Sequence, residues 1–454
     1  MSVDATTPAL TGLAPFVIAS SPPPEARRRA AAAFLDTIGV MLAGASEPAS
    51  RAVQAILAAG AAGPCVVVGT SRRSDAANAA LANGTAAHAL DFDDMCFVSL
   101  AHPSAALVPA ALAAAELTGA SGRSMLDAYV AGFELEARLG QVMNPRHYQR
   151  GWHCTSTLGT IGAAAAASRV LGLDVETCRH ALGIAASQAS GLKENFGTMV
   201  KPLHAGLAAR NGVVAATLAA SGLTASDAAI DGPQGLLHAM DSERRDLATA
   251  AADLGSRWEI VDSGITVKLY PSCAATHPPL DAILDLRRAH DLTADGIDRI
   301  DIDVDAITPT VLIYDQPVSG LEGKFSLPFC AAAAIVFGQV GIDTFDAAPL
   351  ADSRVRALMR HVSMHVDPGL GAGAPPLTQA RVRVTLRDGR TLTRQANGAR
   401  GYPVHPATDA ELDAKFLSCA ARVLPADRAA TLLGQLRGLE RIPDARSMAP
   451  LLGS

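Results

Sequence analysis

From residue 24 to about residue 220 the chain reads as one helix after another, joined by short connections, with alanine and glycine where neighbouring helices would touch. No other feature constrains the fold as much. Small side chains at contact positions let helix axes approach closely, and short connections keep successive helices adjacent. Hydrophobic residues make up 49% of the chain but aromatics only 4%, so small side chains must fill the core. The spacing predicts helices at 24–43, closed by Gly44, and at 50–60. Others are expected from the caps Ser74 and Asp75 to about 90, then at 103–118, 124–143, 156–171, 175–191 and 202–220. Three of these, at 24, 103 and 202, open on proline, whose missing N–H is no loss in a first turn. The run CVVVG at 65–69 is short and apolar enough for a strand, and residues 1–24 are expected to lie over the surface.

Near residue 260 the texture changes. RIDIDVD at 299–305 and ARVRVTL at 380–386 alternate polar with apolar, and Asp388-Gly389 followed by 390–394 is a hairpin signal. A further strand is expected at 362–366, with helices near 279–289 and 326–337, and two more at 409–423 and 426–436. A chain of 454 residues exceeds one ordinary core. The fold class predicted is therefore mainly α. A large all-α helical domain is built from both chain ends, 1–266 and 397–454, with a smaller α+β unit inserted at 267–396.

Several function classes are excluded. Net charge is −6 with no basic block, which gives nucleic acid or a membrane surface no electrostatic footing. No run of about 18 apolar residues offers a membrane span, and no secretory leader is expected. The seven cysteines never fall in CxxC spacing, so neither a disulfide framework nor a zinc site is expected, and a reducing cytoplasm fits. No glycine-rich phosphate loop is present.

Chemistry concentrates at 81–104, LANGTAAHALDFDDMCFVSLAHPS, where an alanine-rich helix runs into Asp91, Asp93 and Asp94 and a His-Pro-Ser opens the next helix. Three predicted helix starts share a pattern: His102 precedes Pro103, Trp152-His153 precede Thr155-Ser156, and Lys201 precedes Pro202. Each sets a basic side chain beside unpaired N–H groups and the positive end of a helix dipole, which together attract anions. If the three converge they form a receptor for a polycarboxylate or phosphate, with a histidine neutral enough to act as a base. Lys268 sits where the texture changes and could close over an anion; Lys193, Lys324 and Arg210 are further cationic candidates. His88, His204 and His277 read as core histidines. The acids lack the helical spacing of a metal site, and no GxSxG elbow is present.

These segments together resemble the MmgE/PrpD family, which includes 2-methylcitrate dehydratase, cis-aconitate decarboxylase and iminodisuccinate epimerase. The matching stretches are DTIGVMLAG at 36–44, NGTAAHALDFDD at 83–94, HPSAALVP at 102–109, GWHCTSTLG at 151–159 and NFGTMVKPLHAGLAARN at 195–211. KLYPSC at 268–273, KFS at 324–326 and GYPVHPATDAELDAKF at 401–416 complete them. The resemblance implies a helical domain from both chain ends, an α+β lid domain and a homodimer without cofactor or metal. It implies catalytic roles for Asp91, His102, His153, Lys201 and Lys268. The matched motifs also offer Met95, Tyr270, Ser272 and Lys324 as substrate contacts. Met95 stands where the decarboxylase carries Thr, and Ser99-Leu100-Ala101 where the epimerase branch carries an Arg. The implied activity is a dehydratase-like lyase moving a proton at the carbon next to a carboxylate of a small di- or tricarboxylate. The alternatives are an epimerase of an iminodisuccinate-like acid and, from another class, a non-catalytic polycarboxylate binder.

Overall fold

The computed structural model describes residues 8–57, 63–244, 246–372 and 375–453. The end of the helix expected at 50–60, and residues 1–7, lie outside these. Ten helices carry the first half of the chain: α1 (Leu10–Ala19), α2 (Pro24–Gly44), α3 (Pro48–Leu57), α4 (Ala76–Ala89), α5 (Pro103–Thr118), α6 (Gly122–Met143), α7 (Arg146–Gln149), α8 (Cys154–Val170), α9 (Val175–Gln188) and α10 (Val200–Ala220). Their ends follow local chemistry. Asp75, Ser121 and Asp174 each accept a backbone N–H at the start of α4, α6 and α9, and Pro103 opens α5. Gly119, at φ 72°, closes α5 in the left-handed region that favours glycine.

The closest helix approaches are made by glycine. A Cβ on Gly206 of α10 would lie 2.3 Å from the Leu81 carbonyl oxygen and from Thr85 Oγ1 of α4. A Cβ on Gly132 of α6 would lie 2.5 Å from the Gly162 carbonyl oxygen of α8. These contacts let the helices pack closely in a core with so few aromatic rings.

Two expectations fail. The N-terminal segment does not simply run over the surface: α1 buries Leu10, Leu13, Ala14 and Val17 against α8 and α9. Pro15, inside that helix, interrupts the pattern that would have marked it. The helical region is also not all-α. Strand β1 (Cys65–Val66) pairs antiparallel with β2 (Arg73–Ser74), among the α-helices. The run from Cys65 to Val68 is buried, so its backbone must find partners. The Val66 N–H goes to the buried Glu116 carboxyl, and the Val68 N–H to Asn83 Oδ1 at 2.9 Å.

The second sheet is mixed, in the order β4-β3-β5-β6: β3 (Ile297–Val304), β4 (Val362–Val366), β5 (Gln379–Leu386) and β6 (Thr391–Asn397). β3 runs parallel to β4 and antiparallel to β5, and β5–β6 is the hairpin marked by Asp388-Gly389. Ala380, Val382, Val384 and Leu386 alternate inward along β5, facing the helix His277–His290. The helices Asp409–Ala420 and Ala426–Arg437 return to pack on α2. No single helix among the described residues is long and apolar enough to cross a membrane.

Candidate active site

Four chain segments meet where α4 ends, α5 and α8 begin and α10 begins. The backbone N–H of His102 donates to Thr155 Oγ1 at 3.1 Å, so the start of α5 is tied to the start of α8. Lys201 is the second residue of α10 rather than preceding it, and Pro202 the third. The loop bearing Lys268 crosses from the far side and is held to the acidic loop by a backbone bridge between Met95 and Thr266.

The charged groups form one chain of contacts. Lys268 Nζ donates to the Asp91 carbonyl at 2.9 Å and to Asp91 Oδ1 at 3.1 Å. Lys201 Nζ donates to the same Oδ1 at 2.8 Å and lies 2.7 Å from His88 Nε2. An ammonium can only donate, so His88 Nε2 accepts, and its proton sits on Nδ1, 2.7 Å from Asp93 Oδ2. His102 Nδ1 lies 3.3 Å from that same Asp93 oxygen. Asp94 caps the start of α5 through the Ser104 N–H and hydroxyl, and Ser104 also contacts Tyr129.

Burial and neighbours set the protonation states. Burial alone would raise Asp91, but Lys201 and Lys268 outweigh it and hold the carboxyl well below its ordinary range. Burial would likewise raise Asp93, and the His88 and His102 rings hold it well below. Burial pushes His102 down to about 3 in spite of the Asp93 carboxylate beside it. Burial and then the Lys201 charge push His153 well below its ordinary value. The site thus combines ionised carboxylates, lysine ammonium groups and neutral imidazoles at pH 7.

Asp91, His102, His153, Lys201 and Met95 line one cavity of about 20 Å³, with Leu100, Phe196, Phe325 and Leu377 as its apolar walls. That is room for about one water, so a ligand of several carbons needs the walls to move. Five non-glycine residues among those described have positive φ, and three of them, Asp91, Leu100 and Leu377, line this cavity. Such conformations cost on the order of 1–3 kcal/mol and concentrate at ligand clamps. A larger groove of about 890 Å³ lies beyond Leu100, but no lysine or histidine lines it.

The structure brings together most of the residues marked in the sequence, and sets others apart. Lys268 backs the cavity through Asp91. Lys324 does not line it: its Nζ donates to the carbonyls of Leu90 and Pro271 at 2.8 and 2.7 Å, stapling the two loops that form the site. The Tyr270 hydroxyl turns away to Asp281 and Arg400, and Ser272 Oγ pairs with Thr276 Oγ1 at 2.7 Å. Lys193 lies over the Tyr148 ring, and Arg210 contacts Asn211. Reading His88 as a core histidine missed its place between Lys201 and Asp93. Its position one turn before Asp91, at the end of the helix that delivers the acids, was the available signal. Phe196, Tyr148 and Cys273 on the cavity wall carried none.

His88, Asp91, Asp93 and His102 each bring a ligand-type atom within 4.8 Å of the others. Among these side chains, His88 Nε2 and Asp91 Oδ1 already receive lysine Nζ, while Asp91 Oδ2 and Asp93 Oδ1 are buried without a hydrogen-bond partner.

The comparisons with known proteins agree with this architecture along the chain. The MmgE/PrpD N-terminal domain matches residues 13–247 and the MmgE/PrpD C-terminal domain residues 270–437. The human cis-aconitate decarboxylase is 30% identical over 386 residues, covering 82% of this chain and 79% of the relative. The cis-aconitate decarboxylase-like protein oryM of Aspergillus oryzae is 29% identical over 92% of this chain and 91% of its own. The cis-aconitate decarboxylase of Aspergillus terreus is 26% identical over 92% and 90%. With both domains matched in order and the cavity walled by residues of both, the chain belongs to the MmgE/PrpD family.

Proposed function

We propose that this protein is a lyase for a small tricarboxylate and that it works through a carbanion formed next to a substrate carboxylate, using its own side chains. One observation carries the reading: two lysine ammonium groups converge on one buried carboxylate beside neutral histidines. Removing a proton from carbon next to a carboxylate puts a second negative charge on that carboxylate. Fixed positive charge in a dry site is the strongest stabiliser of such a species. A substrate carboxylate would compete with Asp91 for Lys201 and Lys268.

His102 and His153 are the proton carriers in this scheme. One ring nitrogen takes the C–H proton, and the electron pair stays on carbon. In a dehydration the carbanion then expels hydroxide, which leaves as water with a proton from a ring nitrogen. In a decarboxylation the C–C bond to the carboxylate breaks, CO₂ leaves without the bonding pair, and a ring proton quenches the pair left on carbon. General acid–base help of this kind is worth about 10²–10⁴-fold per group. That the relatives are cis-aconitate decarboxylases supports starting from cis-aconitate.

The test is NMR of substrate carbons after incubation with cis-aconitate and citrate-like acids in deuterated water. Label at carbon, with loss of CO₂ or water, is expected, and His153→Gln is expected to abolish the label. Binding of the acids without any label would mean a binder rather than a lyase.

The buried histidines also predict a pH profile. A ring pushed down to about 3 stays neutral, and so able to accept a proton, at every pH well above 3. The acid limb of kcat/KM is therefore expected below pH 5, whereas a limb near 6.5 would mean that a solvated histidine does the work.

A further inference from the structure

His204 lies one helical turn beyond Lys201 on α10 and faces the start of α8. Its Nδ1 is 3.0 Å from Nδ1 of His153. At that distance the two nitrogens hold one proton between them, because two lone pairs or two N–H groups would repel. Both rings are buried, at 1% and 5% exposure. Burial pushes His204 down to about 4, and burial with Lys201 pushes His153 lower than its ordinary range, so both are neutral near pH 7.

We propose that His204 is a positioning residue that dictates which nitrogen of His153 carries its proton. Each neutral ring carries one N–H, so the pair has two arrangements. In the first, His153 donates from Nδ1 to His204, and His153 Nε2 is a bare base. In the second, His204 donates from its own Nδ1, and His153 Nε2 carries a proton and is an acid. Neither ring can change alone. With Nδ1 engaged, Nε2 is the nitrogen of His153 left for the cavity it lines. Lys201, on the same cavity, disfavours an N–H pointing inward, so the first arrangement is the resting one.

The pairing lets one residue serve both halves of an elimination. The substrate C–H proton bonds to His153 Nε2, and its electron pair remains on carbon. The Nδ1 proton of His153 moves to His204 Nδ1, which puts the positive charge on His204 and leaves His153 a neutral acid. When His153 Nε2 gives its proton to the leaving oxygen, His204 returns the Nδ1 proton, and the pair is as it began.

This inference rests on reading His153 as a proton carrier, but its first test needs no substrate. In protein labelled with ¹⁵N-histidine, the wild type is expected to show a protonated Nδ1 and a bare Nε2 for His153, with nitrogen–nitrogen coupling across the shared proton. A bare Nδ1 on His153 without that coupling would overturn the proposal, whatever the enzyme does. His204→Phe is expected to abolish the coupling and release His153 to the other tautomer. It should lower kcat on the order of 10–100-fold, as loss of a ring-orienting partner does elsewhere, with KM nearly unchanged. His204→Gln, whose amide can reach the same nitrogen, is expected to restore most of kcat. Unchanged His153 signals in His204→Phe, or a folded His204→Gln no better than His204→Phe, would overturn it. A wild type without turnover on any acid tried would count against the lyase reading and leave the tautomer result standing.

Discussion

Replacing Lys201 by Met is expected to lower turnover by about 10²–10³-fold, the loss seen when one fixed donor to a developing oxyanion is removed. The thioether keeps most of the side chain's length and apolar contact, including its approach to the Phe196 and Phe325 rings, and removes only the charge. Three things then change together. Asp91 loses one of its two ammonium partners, His88 Nε2 loses its donor, and the positive charge that pushes His153 down disappears. Stripping a buried ion pair of one member outright costs about 3–5 kcal/mol. Here Lys268 still holds Asp91 at 3.1 Å, so the loss of stability is expected to be smaller and the variant folded. Turnover and a thermal melt measured on the same sample check this. Near-normal kcat in folded Lys201→Met would remove the lysine from the chemistry.

A second large effect is expected at a residue that touches no reacting group. Gly206→Leu should lower the melting temperature and reduce turnover on the order of 100-fold. A Cβ there would sit 2.3 Å from both the Leu81 carbonyl oxygen and Thr85 Oγ1, well inside contact distance. Opposite it, a Cβ on Gly84 would meet the Gly206 Cα at 2.8 Å, so the contact is mostly backbone and only the Thr85 hydroxyl could turn aside. Overpacking of this kind costs about 1–3 kcal/mol, and the only relief is for α10 to move off α4. These helices hold the two halves of the charge network: Lys201 on one, His88 and the loop to Asp91 on the other. A shift of about 1 Å in a catalytic group can cost on the order of 100-fold in rate. Gly434→Ala is the control, since a Cβ there meets nothing within 4 Å and the helix gains about 0.5–1 kcal/mol. Equal melting temperatures and rates for Gly206→Leu and the wild type would show that the two helices do not touch.

The helices were legible because their caps and their apolar spacing lie within a few residues of one another. Asp75, Pro103 and Asp174 act where the chain places them, and the Asp388-Gly389 hairpin joins β5 to β6. The β1–β2 pair was legible only as a short apolar run. A two-residue strand leaves no period to read, and the backbone of its run is held by Glu116 and Asn83, which come from other helices. Among the cationic residues, spacing could not rank Lys268 above Lys193 or Lys324. All three are lysines near turns, and only packing sends one to Asp91, one over Tyr148 and one to two carbonyls. Tyr270 and Ser272 sit in a matching motif, yet their hydroxyls are spent on Asp281, Arg400 and Thr276.

The sequence alone determined which residue types are present, where most helices begin and end, and which motifs group this chain with its family, because those properties are local. The tertiary structure decided which nitrogen of His88 carries a proton, that His204 pairs with His153, and that Asp91 is shared by two lysines 67 positions apart in the chain. Those are properties of distance in a medium without water. The energy of a proton or a charge there depends on neighbours a few ångströms away, which the linear order of residues does not specify.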